Sequence, residues 1–182
     1  MGVLTANVLT VSAPKTRRQG MTPPPGHHTD PRDQTAMTTP IETYRATVFP
    51  WHCDQFGHMN ARWYAAHFDE ASFHLYQRAG LSYAHMRKVG SIISVVAEVR
   101  IAYRHEMVAG DLLVIAGGFT KLGNKSLQRT AWLTNAEDGT LCAVEEARDV
   151  FFDEETRASA PMPDAFRAVL AQSLLPEGYA PA

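Results

Sequence analysis

The chain has 182 residues, 45% of them hydrophobic, and a formal net charge of −2. Such a length fits one domain with a sizeable core, and the near-neutral balance argues against a dedicated nucleic-acid binder, which would carry a basic face. Two cysteines, Cys53 and Cys142, are too few for a disulfide framework, and no apolar run reaches the roughly 18–20 residues of a membrane span.

Residues 1–40 contain Pro14, Pro23, Pro24, Pro25, Pro31 and Pro40, many threonines and almost no aromatic residues. A stretch of this kind buries too little apolar surface to offset the entropy of ordering it, so a disordered tail is expected. Arg17 and Arg18 lie in it without the apolar core of a secretory signal, and a cytoplasmic location is the expectation. Met21 and Met37 offer alternative translation starts.

The folded domain is expected over residues 41–175, with 176–182 a flexible C-terminus. Residues 42–49 alternate apolar and polar, the period of a half-buried strand, and Pro50 ends the pairing. Residues 51–59 read as a loop that turns at Gly57. Asn60 is a good N-cap, and residues 61–79 contain neither glycine nor proline before Gly80 stops the helix. Tyr64, Phe68, Ala71 and Leu75 share one face of this helix, and Ala61, Ala65, Trp63, Phe73 and Tyr76 extend its apolar surface. A helix apolar over most of its circumference is expected to be wrapped by other structure.

A short helical piece over 82–89 comes next, then strand patterns over 91–103, 111–121, 126–136 and 140–153. Turn signals at Ala109-Gly110-Asp111, Leu122-Gly123-Asn124 and Glu137-Asp138-Gly139 separate them. A closing helix is expected over 164–172. The order of strand, loop, long helix and four antiparallel strands predicts an α+β hotdog fold. In it, a curved antiparallel sheet of about five strands wraps a long central helix.

Asp54 precedes a glycine turn that feeds a helix N-terminus, where free N–H groups and the helix dipole favour negative charge. A carboxylate beside amide donors suits thioester chemistry. The donors polarise the carbonyl and hold its developing oxyanion, while the carboxylate attacks the carbon or activates a water. By residue type alone, Asp54 fits a turn-stabilising role as well. His52, Cys53, Asp54 and His58 have ligand chemistry but no closed-site spacing, so no metal is expected. Cys53 reads as a small packed residue rather than a nucleophile, and His58 as a loop-shaping hydrogen-bond donor.

The segment Asp54-Gln55-Phe56-Gly57-His58-Met59-Asn60, followed by Tyr64, resembles the D-x-x-G-H-[VM]-N…Y signature of the 4-hydroxybenzoyl-CoA thioesterase-like hotdog family. Val99-Arg100-Ile101-Ala102-Tyr103 is similar to that family's strand after the helix. Gly110-Asp111-Leu112 is similar to its G-D-x-L strand opening, and Lys125-Ser126 to its basic residue and serine at a strand start. The likeness spans about residues 42–163.

The resemblance implies hydrolysis of an acyl-CoA thioester without a cofactor. Asp54 would be nucleophile or general base, Gly57, His58 and Asn60 would shape the loop, and the amide near Ala61 would polarise the carbonyl. It places CoA phosphate contacts around the 122–124 turn, on Lys121, Asn124, Lys125 and Ser126, with Lys125 the closest match; Arg129 beside the turn, and Arg100 with Arg104, are further candidate cations. By residue type, the acyl pocket is expected along the apolar helix face, with Tyr64, and the strand 91–96, where Ser91 or Ser94 would contact the thioester or its attacking water. The implied assembly is a homodimer or homotetramer with sites between subunits; no nucleic acid and no membrane is implied as partner. Two departures stand out: His52 replaces a frequent acidic residue, adding an imidazole near the site, and Ala61 replaces a frequent second asparagine. Two other readings stay open: a hotdog hydratase or dehydratase using His52 and His58, and a non-catalytic module that binds acyl thioesters.

Overall fold

The computed structural model describes residues 39–179. The expected N-terminal tail, apart from Thr39 and Pro40, and the last three residues of the expected C-terminal tail lie outside the described residues. The first strand, β1, runs Ile41–Thr47, and a single turn of 3-10 helix follows over Pro50–His52. The long helix α1 spans Ala61–Arg78 and the short α2 spans Tyr83–Val89. Then come β2 (Ile92–Tyr103), β3 (Leu112–Leu122), β4 (Ser126–Asn135) and β5 (Leu141–Asp153). A two-residue β6 (Ala158–Ser159) and α3 (Asp164–Leu170) complete the set.

All pairings are antiparallel, in the order β1-β3-β4-β5-β2, with β6 added beside β5. Consecutive strands β3, β4 and β5 form a meander because tight turns join them; Gly139, at φ +77°, supplies the left-handed residue that the second turn requires. β2 lies at one edge and β1 at the other. Register shifts at Glu42/Tyr44, Val96/Glu98, Phe119/Lys121 and Leu133/Thr134 add local bend to four of the pairings. This is the hotdog arrangement.

The helix α1 starts where Asn60 Oδ1 accepts the N–H of Arg62 at 3.1 Å. Tyr64, His67, Phe68, Ala71, Ser72, Leu75 and Tyr76 are its buried residues, spaced three and four apart in the pattern of a single face. Phe68 and Tyr76 are fully buried, and burial of such side chains stabilises by roughly 1.5–3 kcal/mol each. The expected wrapping over most of the circumference is met on one side only. Ala61, Ala65 and Asp69 are exposed, and Phe73 keeps half its surface in contact with solvent. One curled sheet covers one face of a helix and leaves the other open.

The core has two parts. Tyr64, Phe68 and Ala71 pack with Val48, Met59, Met107, Leu113, Ile115 and Leu133 around the first half of α1. Leu75 and Tyr76 pack with Phe119, Leu127, Phe151, Phe166 and Leu170 around its second half, where α3 closes the end. Among the described residues, no helix is long and apolar enough to cross a membrane.

Candidate functional site

The loop before α1 is built by its own main chain. The N–H of Gly57 donates to Asp54 O and the N–H of Asp54 to His58 O, both at 3.0 Å. Gly57 sits at φ +85°, a conformation that side-chain-bearing residues rarely adopt. Cys53 pairs across the turn with Met59. The turn is then fastened to the segment after β2: the N–H of Met59 donates to Met107 O at 2.7 Å, and His58 pairs with Val108. The N–H of Asn60 reaches back to His52 O at 2.9 Å, so the loop closes on itself before the helix begins.

A cleft of about 300 Å³ opens at the start of α1. Its walls are Met59, Ala61, Tyr64 and Tyr103, with His58, Arg104, His105 and Glu106 around them. The Tyr64 and Tyr103 rings meet edge to face at 5.2 Å, and Tyr64 Oη donates to His105 O at 3.5 Å. Burial pushes the Tyr64 hydroxyl up to about 12, so it stays a neutral phenol across the physiological range. As the first residue of the helix, Ala61 has no intrahelical acceptor for its N–H, and none is found among the described residues. An amide donor therefore stands at the wall of an aromatic-lined cleft.

Among the residues singled out in the sequence, His58, Ala61 and Tyr64 line this cleft. Asn60 caps the helix that presents Ala61, and Gly57 turns the loop. Asp54 is half-buried beside them and is not part of the lining. Its Oδ1 accepts the N–H of Phe56 at 2.9 Å, as in a turn-stabilising aspartate, and its Oδ2 has no partner among the described residues.

The remaining candidates lie elsewhere. Ser94 is buried, and its Oγ is 2.7 Å from Tyr76 Oη. Tyr76 follows Ala61 by fifteen residues, roughly 22 Å along the helix. Lys121, Asn124, Lys125 and Ser126 surround the β3–β4 turn, which sits at that same far end: Met162 N–H donates to Asn124 O and Arg167 Nη2 to Gly123 O. Lys125 is exposed, and its Nζ donates to Ser159 O at 3.1 Å. Within one chain, the basic turn and the cleft are thus separated by most of the length of the β3–β4 hairpin.

His52 brings no imidazole to the cleft. It is 7% exposed, and its ring lies 4.4 Å from that of Trp63. Its Nδ1 accepts the N–H of Phe49 at 3.1 Å, and burial lowers its pKa, so it is a neutral packing residue. Tyr103, Arg104, His105 and Glu106 form one wall of the cleft, a role that the motif resemblance does not assign to them. Three consecutive titratable residues at a strand end were the available signal. Among the described residues, no group of three or more His, Cys, Asp or Glu side chains is arranged to hold a metal ion.

A second polar cluster lies at the far half of α1. Arg129 is buried between Glu145 and Asp149, donating from Nη1 to Glu145 and from Nε to Asp149 at 3.1 Å. Tyr76 Oη donates to Asp149 Oδ2 at 2.8 Å. Burial raises the Glu145 pKa despite the arginine beside it.

Comparison with known proteins supplies a family and a set of folds. A thioesterase-like superfamily model matches residues 48–170. The fold is similar to that of a 1,4-dihydroxy-2-naphthoyl-CoA thioesterase from Synechocystis, with 19% identity, a TM-score of 0.62, and coverage of 70% of this chain and 93% of that one. It is also similar to a Staphylococcus aureus protein solved in complex with CoA, with 23% identity, a TM-score of 0.68, and coverage of 78% and 90%. YbaW, a probable thioesterase from Escherichia coli, shares 24% identity with a TM-score of 0.64, over 74% of this chain and 98% of its own. No curated protein matches the chain.

Proposed function

The chain belongs to the thioesterase-like superfamily, and from that premise we propose that it hydrolyses an acyl-CoA thioester to the free acid and CoA. The observation that carries this reading is the free Ala61 N–H at the wall of a cleft to which the Asp54 loop contributes His58 and Met59. In this reading the thioester carbonyl enters the cleft and its oxygen accepts the Ala61 N–H. As the tetrahedral intermediate forms, that donor and the helix dipole hold the oxyanion. Asp54 attacks the carbonyl carbon, or takes the proton of a water that does. The fold shared with a protein solved with CoA bound supports CoA as the carrier.

We place the complete site between two copies of the chain. β2 is a twelve-residue edge strand, and Val96, Val99 and Tyr103 are exposed on it opposite the inward-facing Asp149, Ala147 and Ala143 of β5. An open edge flanked by apolar side chains and by the uncovered face of α1 favours antiparallel pairing with a second β2. That pairing turns one chain end for end against the other. It carries the Lys125 turn of the second copy toward the Asp54 end of the first, where it would meet the CoA phosphates.

Release of free thiol from a panel of acyl-CoA esters tests the reading. Asp54→Asn should remain folded and lose about 10²–10⁴-fold in kcat, the range for loss of a proton-transfer group. Wild-type turnover in that variant would sink the assignment. The His58–Glu106 contact keeps a hydratase reading in play, because such enzymes pair histidine with a carboxylate. Loss of an enoyl thioester's double bond without thiol release would favour it.

A further inference from the structure

Glu106 and His58 form the one ion pair among the described residues whose two members both line the cleft, with Glu106 Oε2 3.4 Å from His58 Nε2. We propose that this pair supplies the proton to the departing CoA sulfur, with His58 as the acid and Glu106 as its positioning residue. The proposal rests on the thioester-hydrolysis reading above and assigns a step which that reading leaves without a donor.

The pair is made by the fold rather than by local sequence. His58 is paired with Val108 through the backbone, and the adjacent Met59 N–H is fixed to Met107 O. These contacts lay the Gly57–Met59 segment beside the segment after β2 and bring Glu106 to His58. Side chains of His58 and Glu106 are 43% and 67% exposed. Ion pairs this exposed contribute little to stability, so a structural purpose gives a weak account of the contact. The geometry gives a better one. With Nε2 beside a carboxylate, the other ring nitrogen, Nδ1, is the one available to substrate, the division of labour seen wherever a carboxylate orients a catalytic histidine.

A nucleophile, Asp54 or a water deprotonated by it, forms a bond to the carbonyl carbon, and the carbonyl π pair moves to the oxygen held by Ala61 N–H. On collapse the C=O bond re-forms and the C–S bond breaks, its electron pair leaving with sulfur. Protonated His58 gives its Nδ1 proton to that sulfur, producing the CoA thiol and a neutral imidazole that keeps its Nε2 proton beside Glu106. Where Asp54 itself attacks, water then hydrolyses the acyl–Asp54 anhydride, releasing the free acid and the carboxylate; in either route solvent returns the proton to Nδ1 before the next turnover. Arg104 and His105, also in the cleft wall, have no carboxylate partner among the described residues and are free to meet substrate.

Leaving-group chemistry tests the pair. An alkyl thiolate such as that of CoA is the poorer leaving group and gains more from a proton, whereas an aryl thiolate, of lower thiol pKa, leaves more readily without one. The full-length chain is assayed with one acyl group carried on CoA and on an aryl thiol. Glu106→Gln should lower kcat for the CoA ester about ten-fold with KM changing less than two-fold, and His58→Gln about 10²-fold. Both losses should shrink several-fold on the aryl thioester, and Glu106→Asp should recover part of the CoA-ester rate. Equal losses on the two esters, or wild-type kcat in folded Glu106→Gln, would overturn the assignment. Asp54→Asn separates the two ideas. If it abolishes turnover while Glu106→Gln does not affect it, only the acid is wrong; if it leaves thiol release intact, the hydrolysis reading and this inference fall together.

Discussion

The main-chain carbonyl of His52 accepts the N–H of Asn60 at 2.9 Å, tying the base of the Asp54 loop to the residue that caps α1. The position of the loop and the position of the Ala61 amide are therefore set by one closure. Changes at either end of it should reach catalysis without touching substrate.

Asn60→Ala removes the oxygen that accepts Arg62 N–H. The expected cost is about 1 kcal/mol of stability, the usual value of an N-cap. If Ala61 N–H is the oxyanion donor, kcat should fall by more than that stability loss explains, because the first turn of the helix frays where the carbonyl binds. Chemical denaturation beside thiol-release kinetics measures both, and Asn60→Asp should restore most of each.

Acid should loosen the same closure. His52 and His67 face each other with ring centroids 5.4 Å apart, and each has its pKa lowered below 6.5, chiefly by burial. His67 also meets Tyr44 Oη at 3.2 Å, and its Nε2 is buried with no partner among the described residues. Above pH 6.5 both histidines are neutral in folded and unfolded chains, and the contribution to stability is complete. Below it the unfolded chain takes up protons first, so stability falls as pH drops through the unfolded value toward the folded ones. His52→Asn keeps an acceptor for Phe49 N–H but cannot be protonated. Its melting temperature should fall less steeply than wild type between pH 7 and 5.

Arg129→Met would leave Glu145 and Asp149 buried without their cation. Breaking a buried ion pair from one side costs about 3–5 kcal/mol, so the variant should be strongly destabilised in denaturant titrations at pH 7. Glu145→Gln should cost less. Burial already raises the Glu145 pKa, and one arginine still faces one carboxylate after the change.

Mixed subunits test the shared site. Asp54→Ala and Lys125→Glu chains should each be weak alone. In a dimer of one of each, a site that draws Asp54 from one chain and Lys125 from the other is intact once and doubly damaged once. Random mixing should then restore about a quarter of wild-type activity, since about half the dimers are mixed and each has one good site. No recovery would mean that each chain builds its site alone.

Much of the fold was legible in the sequence because its signals are local. Asn60 and Gly80 mark the ends of α1 to within a residue or two, and the turn residues separate four strands whose bounds match the pattern closely. The loop from Asp54 to Asn60, its glycine turn and its cap were readable for the same reason. Tertiary structure decided what no local rule could. Strand order and register carried Glu106 to His58, buried Ser94 against Tyr76, turned the His52 ring into the core, and set the Lys125 turn at the far end of α1 from the cleft. Capping and turn geometry depend on neighbours a few residues away, whereas these meetings depend on which strands pair across the chain, and pairing is fixed only when the whole sheet closes on its core.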